Sequence, residues 1–292
     1  MNLRRVKAHL IITLLFALIT STFAKSPDSL DVVYAKVGDI ELKLDLYFPE
    51  TESTVSPPLV VWIHGGAWRS GSKSNPPILY LLKENFAIAS IDYRLSTQAE
   101  FPALIHDCKA AIRWLRANQQ KYGYNSCKIA VAGSSAGGHI VALMGATNGS
   151  EYHEGSVGGF LNESSDVQAV IDYYGPTNFL SILHQSTPHG LSVRVPALQL
   201  LLGSQPKTNP SLAKLASPVE FVDENDPPLL MLHGDQDPQV PINQSHELHH
   251  QYLLHNLDVD FQVVHGGKHG GPIFHSPHFQ EKIISFLNQS IR

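Results

Sequence analysis

Gly133-Ser134-Ser135-Ala136-Gly137 follows directly on the apolar run Lys128-Ile129-Ala130-Val131-Ala132, and that juncture decides the fold. G-x-S-x-G after a short β-branched run is how a strand turns sharply into a helix with a serine at the apex. Ser135 is therefore the expected nucleophile. The flanking glycines are expected to let the backbone take a strained turn. That turn lifts the Ser135 hydroxyl above the sheet and leaves the Ala136 N–H free at the start of the helix. A serine hydroxyl is a poor nucleophile at neutral pH unless a base takes its proton, and the oxyanion that forms needs preplaced donors.

The remaining groups stand at the ends of other apolar runs. Upstream, Leu59-Val60-Val61-Trp62-Ile63 reads as a buried strand running into His64-Gly65-Gly66-Ala67-Trp68, a glycine-rich loop of the kind that completes an oxyanion hole. The expected donors are the backbone N–H groups of Gly66 and Ala67, with Gly65 allowing the turn and His64 bracing the loop. Downstream, Pro228-Leu229-Leu230-Met231-Leu232 opens into His233-Gly234-Asp235-Gln236-Asp237, and a carboxylate just past a strand end can orient a histidine. Asp237 fits the H-G-x-x-D spacing and is the expected carboxylate, with Asp235 holding the turn. Val259-Asp260-Phe261-Gln262-Val263-Val264 alternates as a half-buried strand should and runs into His265-Gly266-Gly267-Lys268-His269. His269, farther from the strand, is the expected base, and His265 is expected to be structural.

The order Ser135, Asp237, His269 is that of α/β-hydrolases and differs from the chymotrypsin and subtilisin orders. The chain resembles α/β-hydrolases of the carboxylesterase type and is similar to the bacterial feruloyl and acetyl-xylan esterase group (BD-FAE-like). It shares motifs with hormone-sensitive-lipase-like esterases and arylformamidases. The resemblance rests on His64 through Trp68, Asp92-Tyr93-Arg94-Leu95, Phe101-Pro102 with Asp107 through Leu115, Gly133 through His139, and His233 through Asp237. It implies a serine carboxylesterase for short-acyl or aromatic-acid esters, carbohydrate esters among them, that needs no cofactor. Ala67 stands where the hormone-sensitive-lipase pattern has a third glycine, but a backbone N–H donor survives that exchange.

Composition agrees with one catalytic domain, residues 25–292, since 292 residues at 43% hydrophobic content bury one large core. Residues 1–24 read as a signal peptide: Arg4, Arg5 and Lys7 are basic, Leu10 to Ile19 are apolar, and Thr22-Phe23-Ala24 is a small-x-small cleavage site. The apolar run is short for a membrane span, so the expectation is a secreted or periplasmic protein without stable membrane association. Removing the three basic residues takes the formal charge from −5 to −8, which speaks against nucleic acid as a partner.

The chain-long pattern is regular. Strands are expected at 31–36 and 40–48 as a hairpin, then at 59–63, 86–92, 128–132, 168–174, 228–232 and 259–264. Helical stretches between them include one at 103–120. Eight short apolar strands alternating with amphipathic helices imply an α/β-hydrolase fold, a mostly parallel sheet with helices on both faces and the motif residues at the strands' carboxyl ends. Residues 175–216 interrupt the alternation with a leucine-rich patch at Leu198, Leu200, Leu201 and Leu202. They are read as a small cap insertion, and the sequence leaves open whether they shape the pocket or lie on the surface.

Two further features stand outside this pattern. His246-Glu247-Leu248-His249-His250 matches the H-E-x-x-H zinc-peptidase pattern, but no third ligand is evident. With its helix on the outside of the sheet, His246, Glu247 and His250 should be solvated, so no metal is expected. Cys108 and Cys127 are expected to be free and mostly buried, because a helix of about twelve residues separates them by roughly 18 Å, too far for a disulfide. An arylformamidase or amidase, or a lipase, on the same triad remains open. More remote are a metallopeptidase and a non-catalytic binding module.

Overall fold

The computed structural model describes residues 25–50 and 54–292, and the expected signal peptide lies outside them. The strands are β1 (Ser29–Val37), β2 (Ile40–Tyr47), β3 (Pro58–Ile63), β4 (Ala87–Ile91), β5 (Asn125–Ser134), β6 (Ala169–Tyr173), β7 (Leu229–Gly234) and β8 (Val259–Val264). They form one eight-stranded sheet in the order β1-β2-β4-β3-β5-β6-β7-β8. β1 with β2 and β2 with β4 are antiparallel, and every other pair is parallel. This is the expected α/β-hydrolase sheet.

Continuous apolar runs make the central strands because both faces of a parallel sheet are covered. Val61, Ile63, Ile129 and Val131 face one core with the helices Ala103–Ala117 and Ala136–Gly145. Val60, Trp62, Ala130 and Ala132 face the other, against Phe279, Ile283 and Leu287 of the helix Pro277–Ser290. The helix that begins at Ala136 is apolar except for His139 and buried along its whole length, as a helix wedged between sheet and outer layer must be.

Two local expectations are corrected. The helix starting at Ala103 stops at Ala117 rather than running to 120. Asn118 leaves helical geometry (φ −105, ψ 8), its side chain capping Trp114 O, and a separate turn follows at Gln119–Tyr122. Both cysteines are free, but only Cys108 is buried. Pairing between β3 and β5 jumps from Pro58↔Asn125 to Leu59↔Ile129, which leaves Cys127 outside the ladder and exposed.

Residues 175–216 fold as the helices Ile182–Gln185, Pro188–Leu202 and Pro210–Leu215. In the long one, Thr187 Oγ1 accepts from Gly190 N–H, Pro188 takes the first turn and Gly203 (φ 66) ends it. Leu198, Leu201 and Leu202 are buried while Leu200 is 38% exposed. The leucine-rich patch is thus mostly core, each buried side chain contributing about 2 kcal/mol.

Candidate active site

β5 hands over to its helix at Ser135, whose backbone lies at φ 55, ψ −115, a region costing a non-glycine residue roughly 1–3 kcal/mol. Bonds from Ser135 N–H to Tyr173 O (2.8 Å) and from His139 N–H to Ser135 O (2.9 Å) hold it there. The expected role of the flanking glycines is corrected: neither Gly133 nor Gly137 has a positive φ, and the serine itself carries the strain. The glycines serve close approach instead. A Cβ on Gly137 would stand 2.1 Å from Ile63 O, so only glycine lets the helix start touch the end of β3.

The loops after β7 and β8 bring Asp237 and His269 to this turn. Ser135 Oγ donates to His269 Nε2 (2.8 Å), and His269 Nδ1 donates to Asp237 Oδ2 (2.6 Å). A carboxylate only accepts, which places the imidazole proton on Nδ1 and leaves Nε2 free to take the serine proton. Asp237 Oδ1 accepts from Gln239 and Val240 N–H (2.8 and 2.9 Å), so its loop grips the carboxylate from behind. Burial alone would raise the Asp237 carboxyl, but hydrogen bonds from His233 and His269 outweigh it and hold the group well below the usual carboxylate range. Burial lowers His269 below its ordinary value, with Asp237 pulling the other way and Arg194 and His233 adding to the depression.

The competing residues are placed elsewhere. The His265 side chain is 87% exposed and pairs at 3.0 Å with Asp235, whose other oxygen caps Gly266 N–H at 2.8 Å. Asp235 therefore ties a surface turn. His64 is buried, stacks on Tyr93 at 4.5 Å and meets Gly65 O through Nδ1 at 2.8 Å, bracing its loop.

In that loop Gly66 (φ 110), Ala67 (φ 52) and Trp68 (φ 60) all take left-handed backbone, whereas Gly65, the residue expected to permit the turn, does not. Gly65 is needed for proximity, since a Cβ there would lie 2.7 Å from Ser134 O. Gly66 O is consumed by Arg69 N–H and Ser70 N–H, both at 3.1 Å. Among the described residues, no acceptor is engaged by the N–H groups of Gly66, Ala67 or Ala136. Free donors beside the Ser135 hydroxyl are what a developing oxyanion there would require.

Ser135 opens into a cleft of about 440 Å³ whose lining includes Gly65, Gly66, Ala67, Arg69, Tyr174, Arg194 and His269. Three lining groups escaped the sequence reading. Tyr174, at φ 47 past β6, sets its ring 4.9 Å from the His269 ring. Arg194 comes from the insertion, and Arg69 from the turn after Trp68. The helix bearing Arg194 is moored to the Asp237 loop by Thr187 Oγ1 donating to Pro238 O (2.9 Å). No local signal in the sequence marks any of the three.

The H-E-x-x-H stretch lies on the helix Asn243–Leu254. Glu247, expected to be solvated, is half-buried instead: it accepts from Asn178 Nδ2 (2.7 Å), Ser181 Oγ (2.9 Å) and Gln185 Nε2. It fastens the start of the insertion, which crosses over this helix. His246 and His249 pack on the Phe261 ring, and among the described residues no three His, Cys, Asp or Glu side chains converge on a metal-sized site.

The sheet order, the strained serine between strand and helix, and acid and histidine loops after β7 and β8 define the class as α/β-hydrolase. The BD-FAE family model matches residues 44–252, and the chain belongs to that family. It is 31% identical to Esterase LipC of Mycobacterium tuberculosis over 84% of this chain and 62% of that one. A probable carboxylic ester hydrolase, LipM, from the same organism is also 31% identical, over 76% of this chain and 54% of its own. The chain thus spans less than two thirds of these relatives. Among solved structures, a truncated carbohydrate esterase from gut microbiota superposes with TM-score 0.78 at 34% identity, covering 89% of this chain and 94% of that one. A bifunctional GH43-CE protein of Bacteroides eggerthii gives 0.80 at 33% identity, over 89% of this chain and 35% of its own.

Proposed function

We propose that the chain is a serine carboxylesterase that cleaves short-acyl or aromatic-acid esters, carbohydrate esters among them, through an acyl-enzyme. The observation that carries this reading is the unbroken hydrogen-bond line from Ser135 through His269 to Asp237, at 2.8 and 2.6 Å. Ser135 Oγ attacks the ester carbonyl as its proton passes to His269 Nε2. The N–H groups of Gly66, Ala67 and Ala136 hold the oxyanion, and Asp237 steadies the imidazolium. His269 then protonates the departing alkoxide, and water repeats the attack to release the acid. The named relatives support ester substrates, and the gut-microbiota neighbour supports carbohydrate ones.

The leader-like residues 1–24 support export to the periplasm or the medium. No helix of the described residues is long and apolar enough to cross a membrane. The modest cleft and the largely buried leucines of the insertion support short acyl groups over lipid.

Purified chain starting at Lys25 is to be assayed with p-nitrophenyl acetate, butyrate and laurate below the micelle threshold, acetylated xylan, methyl ferulate and N-formylkynurenine. Short acyl esters are expected to exceed laurate at least tenfold in kcat/KM, about 1.4 kcal/mol in the transition state. A serine-directed phosphonate is expected to stop turnover and to label Ser135, while a chelator leaves it unchanged. Preference for laurate or for N-formylkynurenine moves the reading to a lipase or a formamidase, and chelator sensitivity with phosphonate indifference overturns the triad.

A further inference from the structure

Arg194 is 1% exposed, yet its Nε and Nη1 are buried with no hydrogen-bond partner. Among the described residues no oxygen accepts from its guanidinium N–H groups and no carboxylate forms an ion pair with it. Arg113, equally deep, leaves its Nε without a partner but is paired with Glu154 and donates to Val157 O (2.8 Å), so its charge is met. A guanidinium taken out of water without a partner is costly, so such a group persists where something else supplies the acceptor. Arg194 lines the Ser135 cleft, with its guanidinium carbon 5.8 Å from the centre of the Trp68 ring beside the oxyanion loop. Burial lowers it only to about 10, so it is cationic at neutral pH.

The rest of the cleft has the same sign. Arg69 also lines it, is exposed and has no ion-pair partner among the described residues. No Asp or Glu of the described residues lines the cleft, and Asp237 is fully covered behind His269. Two guanidinium groups without an ion-pair partner thus face the reacting centre of a chain whose formal charge is −5, and the covered Asp237 acts on Arg194 only through space. Arginine offers a planar pair of donors matched to a carboxylate.

We infer that Arg194, assisted by Arg69, forms a subsite for a carboxylate that the ester carries close to its scissile bond. The subsite rests on the esterase reading and specifies its substrate class as anionic esters. The carboxylate has two chemical sources. It belongs either to the acyl group, as in a dicarboxylic acid monoester, or to the alcohol, as in an acylated uronic acid.

Two matched pairs separate the sources. They are p-nitrophenyl hemiglutarate against p-nitrophenyl valerate, and acetylated methyl galacturonoside against acetylated methyl galactoside. In one pair the anionic ester is expected to exceed its neutral partner at least tenfold in kcat/KM at low salt, with the ratio shrinking in high salt. Arg194→Met should bring that ratio near one, and Arg194→Lys should retain part of it. Arg69→Gln, a surface change that leaves the core packing untouched, should reduce it a few-fold. Neutral esters hydrolysed with no anionic preference in either pair overturn the subsite and leave the esterase reading standing, as does a ratio that survives both Arg194→Met and Arg69→Gln. No hydrolysis in any arm overturns the esterase reading, and the subsite with it.

Discussion

The Trp68 indole donates to His139 Nδ1 at 3.1 Å, and His139 Nε2 donates onward to Ala216 O at 2.7 Å. One buried imidazole thus links the loop His64 to Trp68, the helix behind Ser135 and the end of the insertion. It does so only as the neutral tautomer, because Nδ1 must accept.

Burial lowers His139 from 6.5 to about 4. With the folded value depressed, the unfolded chain binds the proton first as the pH falls. The contribution of this site is therefore complete above about pH 6.5 and is lost between there and about 4, amounting to about 3 kcal/mol. His139→Gln should be less stable at pH 7 and show a shallower fall of stability between pH 7 and 4. Denaturant midpoints across that range check it, and an unchanged slope would refute the assignment.

Side-by-side substitutions test the site. Ser135→Ala is expected to lose ester hydrolysis by several orders of magnitude with the fold kept, whereas Ser134→Ala retains substantial turnover. Asp237→Asn should cost about 10³–10⁴ in kcat because it upsets the His269 tautomer. Asp235→Asn, on its surface turn, should stay within a few-fold, and His265→Ala should be far milder than His269→Ala. Equal losses within any pair would reassign that role.

The base must be neutral to accept the serine proton, so kcat/KM should rise with pH through His269 and then level off. Burial and the charge of Arg194 set that rise below the ordinary histidine value of 6.5. Arg194→Met removes a like charge, so the midpoint should move upward. A pH–rate profile of both proteins on a neutral ester measures this, and a midpoint unmoved or shifted down would contradict the electrostatic picture.

Gly137 and Gly149 make a contrasting pair. A Cβ at Gly137 meets Ile63 O at 2.1 Å and His64 O at 2.8 Å, both backbone atoms that cannot swing away, while one at Gly149 (φ +71) meets nothing within 4 Å. Gly149→Ala should cost about 1 kcal/mol of backbone strain. Gly137→Ala should cost about 3 kcal/mol or more, or prevent folding. Equal denaturation midpoints would mean that β3 and the serine helix do not approach this closely.

The amino-acid sequence by itself determined the strands, the serine turn and the histidine and aspartate loops. Each of these is a local pattern: a β-branched run, glycines at a turn, a polar residue just past a strand end. Even that Asp237 and His269, rather than Asp235 and His265, reach the Ser135 turn was legible from position beyond the strand, because reach over the sheet grows with distance from its end. The tertiary structure alone decided what depends on contacts between distant segments. It placed the strain on Ser135 itself because β3 and β6 grip the turn from both sides. It turned Glu247 from a surface group into a fastener for the insertion, and it left Cys127 exposed through a skipped register. Arg194 was decided the same way: its helix is leucine-rich and locally unremarked, and only the mooring of Thr187 on Pro238 carries its charge to the cleft. Burial and missing partners arise from packing between chain segments dozens of residues apart, which no local pattern encodes.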